Sequence, residues 1–170
     1  MKRIGFLVML IVFAGFALGA GGGSIKVSSS AFGEGGNIPP KFTCDGSDTS
    51  PPLKIEGIPE NAKALVLIAD DPDAPSGLFT HWLMWNIDPK TASFEEGKAP
   101  AGVSGANDFG KSAYGGPCPP SGMHRYYFKV FALDQELKLP AGAKRKEIDA
   151  AIKGHVIAQG QLMGRYSRHK

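Results

Sequence analysis

The chain is poor in cysteine, in concentrated charge and in long apolar runs, and each shortage removes a class of function. Only Cys44 and Cys118 occur in 170 residues, with no Cys-x-x-Cys and no His-Glu-x-x-His, so the usual zinc-ribbon and metalloprotease spacings are missing. Two histidines and an aspartate can form a facial metal triad, but no spacing here supports one, and no metal or other cofactor is expected. A Gly-x-Ser-x-Gly elbow is also missing, since Ser121-Gly122 lies within Pro-Pro-Ser-Gly-Met, which weakens a serine hydrolase. Gly21-Gly22-Gly23 opens no helix and is no phosphate cradle.

The formal charge is +3, and leaving out Lys2 and Arg3 brings it to about +1. That is too little to argue for nucleic acid or an anionic membrane as partner. Lys144, Arg145 and Lys146 form the one dense basic cluster, which reads as a solvated helix turn. The one long apolar run, residues 4–18, follows Lys2-Arg3 and precedes small residues at 19–23. It falls short of the roughly 20 apolar residues of a spanning helix and has the layout of a cleaved secretory signal over residues 1–20. The expectation is an exported protein, periplasmic or extracellular, with no integral membrane span in its mature form. In an oxidising compartment a Cys44–Cys118 disulfide is the economical reading. The competing one makes Cys118 a nucleophile paired with His124.

What remains is room for one domain of roughly 150 residues, without internal repeats or low-complexity tracts. Residues 25–28 and 53–56 alternate in polarity between turn signals and predict short strands. Residues 63–69 are almost continuously apolar and stop at Asp70-Asp71-Pro72, as expected for a strand buried on both faces and cut by proline. Residues 81–87 and 126–133 repeat the pattern. His81 would then open one strand and His124 would just precede the other, with Asp71 and Asp73 beyond a strand tip. The polar, Gly- and Pro-rich stretch 88–123 is too long for a structureless connection and predicts a pocket wall. Residues 144–153 carry Ile148, Ala151 and Ile152 at helical spacing before Gly154; helical character extends to 155–156 in this reading, and 161–166 returns as a last strand.

The polar groups gathered at strand ends are Asp71, Asp73, His81, His124, Arg125 and Tyr126. A lone histidine at a strand end is more often structural than functional, but their repeated coincidence with strand tips points to a ligand pocket. Asp71-Pro72-Asp73-Ala74-Pro75, then His81-Trp82, then Gly122-Met123-His124-Arg125 resembles the two signature segments of the phosphatidylethanolamine-binding protein family, also called Raf kinase inhibitor-like. Segments similar to the bacterial and archaeal branch include Phe42-Thr43-Cys44-Asp45-Gly46, Ser50-Pro51-Pro52-Leu53, Asn107-Asp108-Phe109-Gly110 and Gly115-Gly116-Pro117-Cys118-Pro119-Pro120. The similarity runs from about residue 25 to 170.

This resemblance implies a mostly β fold with a large central sheet, a smaller sheet and one or two helices in the C-terminal region. It implies a non-enzymatic protein with a small anion pocket at one end of the sheet, lined by Asp71, His81, His124, Tyr126 and Gly116. Asp73, Arg125 and Pro119 would support the loops. The partner implied is a small phosphate or a phospholipid headgroup. Two arrangements remain open: an ammonium facing Asp71 with phosphate on the imidazoles, or Asp71 fixing an imidazole tautomer and leaving a simple anion site. Some family members are described as inhibitors of secreted serine proteases, for which the proline-rich loop around Cys118 would be the contact. The C-terminus departs from the kinase-regulating pattern, so kinase inhibition is not implied.

Overall fold

A computed structural model describes residues 23–168; the signal reading over 1–20 lies outside them. The apolar run does form a fully buried strand, but that strand keeps both carboxylates at its end: β4, counted below, is Ala64–Asp71, with all eight residues buried. In chain order the strands are β1 (Gly23–Ser24), β2 (Lys26–Ser28), β3 (Leu53–Glu56), β4 (Ala64–Asp71), β5 (Phe79–Ile87), β6 (Ser93–Phe94), β7 (Val103–Ser104), β8 (Met123–Leu133) and β9 (Val156–Ser167). One α-helix, α1 (Arg145–Ile152), precedes β9, and Pro40–Phe42 forms a single 3-10 turn.

Six strands form the large sheet in the order β1-β9-β8-β4-β5-β7, and β2-β3-β6 form the small one. The core has two layers because β4 is apolar on both faces. Leu65, Leu67 and Ala69 face the small sheet and pack with Trp82, Met84, Phe128 and Val130. Val66 and Ile68 face the other way and pack with Leu83, Trp85, Ile148 and Ile152 of the helix side.

Several boundaries differ from the sequence reading: His81 does not open its strand, because β5 already starts at Phe79. His124 lies inside β8, because that strand starts at Met123 and pairs with β9 through Ser167. The helix ends at Ile152 and does not reach 155–156; Gly154 turns the chain at φ +85° and Val156 already belongs to β9. A positive φ is a position where glycine carries no Cβ penalty. The basic cluster is also not uniformly solvated. Lys144 and Lys146 are exposed, but the Arg145 guanidinium reaches the buried Asp70 carboxylate at 2.8 Å, tying α1 to the sheet.

Candidate functional site

A bulge in β5 makes the site. Strict alternation along β5 puts His81 with Leu83 and Trp85 on the helix side, away from Asp71. In the pairing of β5 with β4, however, Trp82 stands opposite Ala69 and Thr80 opposite Asp70, leaving His81 as one extra residue. An inserted residue interrupts the two-residue period and re-aims its side chain. His81 therefore shares the small-sheet face with Asp71 from β4 and with His124 and Tyr126 from β8. Its ring lies 5.2 Å from that of Tyr126 and perpendicular to it, and the His124 ring stacks on Tyr126 at 6.4 Å. Asp71, His81, His124 and Tyr126 are each 7% exposed or less. Segments more than 40 residues apart in the chain thus form one buried polar cluster at one end of the large sheet.

The hydrogen bonds define what this cluster presents. His81 Nδ1 lies 2.7 Å from the Gly115 carbonyl oxygen, which only accepts, so Nδ1 carries the proton and Nε2 of the neutral ring is an acceptor. Burial holds the His81 pKa below its ordinary 6.5, against weaker upward pulls from the Gly115 carbonyl and Asp71. His124 Nδ1 lies 2.7 Å from Asp71 Oδ2, and the carboxylate fixes the tautomer and orientation of the ring. Asp71 Oδ1 accepts the Asp73 N–H at 2.8 Å. Both oxygens of Asp71 are thus engaged by the protein, which matches the tautomer-fixing arrangement rather than the ammonium-facing one. The Tyr126 hydroxyl is buried and has no hydrogen-bond partner among the described residues. Burial, then the Asp71 charge, pushes its pKa far up, so it stays an O–H donor.

Around the cluster Arg125 and Asp73 brace the loop that follows β4, and Gly116, expected as a ligand-binding residue, is engaged by the protein instead. Arg125 grips Asp73 through Nε at 2.8 Å and Nη2 at 2.6 Å, and donates its backbone N–H as well. This contact draws the Asp73 carboxyl down to about 2. Gly116 does not offer a free amide to a ligand, because its N–H donates to Asp48 Oδ1 at 2.6 Å. What the site takes from Gly116 is close approach: a Cβ there would sit 2.5 Å from the Phe42 carbonyl oxygen and 2.6 Å from Asp48 Oδ1. Pro119 is buried within the same wall. Cys44 and Cys118 form a disulfide, so Cys118 has no thiol for a nucleophilic role. Pro117 is buried too, leaving only residues 120–122 as the exposed tip of the proline-rich loop.

Several participants escaped the sequence reading. Asp48 holds the Gly116 amide; Asn107 Nδ2 donates to the carbonyls of His81 and Ala113 at 3.2 and 2.8 Å; Phe79 and Phe109 pack on the His81 ring at 5.1 and 5.4 Å. Asp48 lies far from both signature segments and gave no signal. Asn107, Asp108 and Phe109 enter the sequence reading only within a segment similar to the bacterial and archaeal branch, although asparagine side chains commonly satisfy local backbone in this way.

The comparisons agree with this geometry. Residues 28–167 match the phosphatidylethanolamine-binding protein family. A UPF0098 protein of Pyrococcus horikoshii is 52% identical over 161 residues, covering 87% of this chain and 81% of its own. A UPF0098 protein of Pyrococcus abyssi is 49% identical, covering 96% and 98%. Among solved structures, a phosphatidylethanolamine-binding protein homologue of Chlamydia trachomatis superposes with a TM-score of 0.83 at 40% identity, covering 86% of this chain and 99% of that one. Escherichia coli YbcL, described as a member of the mammalian family, gives 0.78 at 30% identity with the same coverage. With its two sheets, the helix between β8 and β9 and the strand-end cluster, the chain belongs to the phosphatidylethanolamine-binding protein family.

Proposed function

We propose that this is an exported, non-enzymatic binding protein for a small oxyanion of the phosphate-ester type, held at the Asp71–His81–His124–Tyr126 cluster. The observation that carries the reading is the buried Tyr126 hydroxyl, a donor without an acceptor beside two imidazoles whose Nδ1 positions are already committed. A buried unpaired donor is costly, and a ligand oxygen would satisfy it. The leader-like residues 1–20 and the disulfide support export, since disulfides persist in oxidising compartments.

Neither Nε2 is hydrogen-bonded within the described residues. In the neutral rings both are acceptors, so a fully ionised phosphate meets lone pairs, whereas a protonated ring or a P–OH group supplies the missing proton. Phosphate monoesters lose that proton near pH 6, and protonation of His81, held below its ordinary 6.5 by burial, likewise comes only on the acid side. Both effects have one sign: binding weakens as pH rises. Calorimetry with phosphoethanolamine should show at least about tenfold tighter binding at pH 5.5 than at pH 8. Asp71→Asn should lower affinity at pH 5.5 by about tenfold, because His124 loses its charged partner, with circular dichroism checking that the variant is folded. Equal affinity at the two pH values would remove imidazole control from the reading.

A further inference from the structure

The chain segment that supports His81 also borders a second recess: the Gly115 carbonyl turns to His81, whereas the preceding Ser112, Ala113 and Tyr114 line a separate space of about 330 Å³. Small-ligand pockets start at roughly that size, about 300 Å³. Its floor is aromatic. The Trp82 and Tyr114 rings meet edge to face at 5.5 Å and 76°, and the Tyr114 hydroxyl donates to the Phe42 carbonyl at 2.7 Å, so this tyrosine lends the recess its ring. Residues 48–50, Gly97, Ala99 and Ser104 of β7 complete the walls.

These walls are fastened to one another. The Gly97 N–H donates to the Ser50 carbonyl at 3.0 Å, Asn107 Nδ2 holds the Ala113 carbonyl at 2.8 Å, and Asp48, at φ +53°, holds the Gly116 N–H through Oδ1. The polar groups facing the space are nevertheless unspent. Asp48 Oδ2 and the hydroxyls of Ser50, Ser104 and Ser112 make no hydrogen bond among the described residues, which leaves one ionised acceptor beside three groups that both donate and accept. No lysine, arginine or histidine lines the recess, and the ammonium of Lys98, between Gly97 and Ala99, is paired with Glu95. An anion would meet the Asp48 charge with no cation to hold it. A simple cation would gain only an exposed carboxylate, which is worth little in water. An uncharged ring bearing several hydroxyls uses every group present: it donates to Oδ2, exchanges hydrogen bonds with the serines and lays its C–H face on the aromatic floor.

We infer that the recess bounded by Asp48, Ser50, Trp82, Ser104, Ser112 and Tyr114 is a second ligand site, which holds the ring of an uncharged sugar. It stands apart from the proposed anion site and needs no phosphate. A free monosaccharide and the terminal unit of a glycan share this chemistry, since the rim residues Asp48, Gly97, Ala99 and Ser112 are exposed and leave one side of the ring open to solvent.

The two tryptophans make the test internal: Trp82 floors the recess, while Trp85 is fully buried in the helix-side core. Nitrogen-15 correlation spectra follow both indole N–H signals, told apart with Trp85→Phe, during titration with the methyl glycosides of glucose, galactose, mannose and N-acetylglucosamine. At least one glycoside should move the Trp82 signal and leave that of Trp85 in place, with a dissociation constant on the order of 1 mM, so each probe is carried to about 50 mM. Asp48→Asn keeps an oxygen for the Gly116 N–H but loses the charge, and should weaken binding by about fivefold or more. Ser112→Ala, at an exposed position, should weaken it by about two- to fivefold, with circular dichroism checking that each variant is folded. The inference fails if no glycoside moves the Trp82 signal, if tetramethylammonium moves it and the sugars do not, or if both variants bind like the wild-type protein. Tighter binding of a trisaccharide ending in the preferred unit assigns the ligand to a glycan end; equal or weaker binding assigns it to a free sugar, and either supports the site. Titration with phosphoethanolamine is read separately, so its failure would remove the anion site and leave this one.

Discussion

Asp70 and Asp71 are neighbours in the chain and end the same strand, yet they serve opposite faces of the large sheet. Asp70 points to the helix side with its side chain fully buried, and its Oδ2 meets Lys129 Nζ and Arg145 Nη1, each at 2.8 Å. Asp71 points to the small-sheet side and meets His124. Permanent cations hold the first carboxylate, making a fixed clamp between sheet and helix. An imidazole holds the second, joining the same charge to the ring that stacks on Tyr126. The difference teaches that a buried carboxylate is not a site by itself; its partner's chemistry decides.

The two faces should therefore fail differently. The largest effect is expected from reducing the disulfide, which joins residues 74 apart and in the chain-entropy model contributes about 4 kcal/mol. The Cys44 N–H also donates to the Pro117 carbonyl at 3.1 Å, so the loss should fall on the wall that carries Gly115 and Gly116. Urea titration with and without reductant measures the stability change, and phosphoethanolamine affinity should fall with it. Unchanged stability on reduction would mean that packing alone holds this wall.

Next in size, Asp70→Asn should cost about 3 kcal/mol, because removing one member of a buried ion cluster leaves the others uncompensated. Lys129 and Arg145 keep some solvent contact, at 25% and 19% side-chain exposure, which keeps the cost toward the low end. For a domain of this size the melting temperature should drop by roughly 6–12 °C, with ligand affinity unchanged. A loss of affinity at preserved stability would place Asp70 in the site and abolish the contrast with Asp71.

The smallest effect concerns pH. His81 has a folded-state pKa below the ordinary 6.5, so the unfolded chain binds its proton more readily. Stability is then fully present above pH 6.5 and declines as pH falls below it toward the folded value. His81→Gln should flatten the stability profile between pH 6.5 and 5, measured by urea unfolding at fixed ionic strength. Asp73, drawn down to about 2 by Arg125, acts only below pH 3.8 and leaves that window clear. Ligand binding and apo stability thus respond to acid with opposite signs: acid favours the bound anion and penalises the empty protein.

The longer strands, the helix and the four side chains that meet at the strand end, Asp71, His81, His124 and Tyr126, were readable from the chain alone. Period-two and fully apolar runs place β3, β4, β5 and β8 within a few residues, because burial on a pleated sheet leaves its pattern in composition. The Asp-Pro turn and the histidines at strand ends stand out for the same local reason. Their number and spacing, however, do not reveal that Asp71 is already spent on His124 and Asp73, that Gly116 has given its amide to Asp48, or that Arg145 leaves a basic surface turn to reach Asp70. These are pairings across 53, 68 and 75 residues, and nothing local encodes them.

Which amino acids can form the cluster and its brace is settled by the sequence: carboxylates on either side of Pro72, two imidazoles and a phenol, each in or next to a strand that must be buried. Where they point is settled only in three dimensions. One inserted residue in β5 turns His81 from the helix face to the face of Asp71 and Tyr126, and a bulge is a property of the register between two strands, which exists only once they have paired.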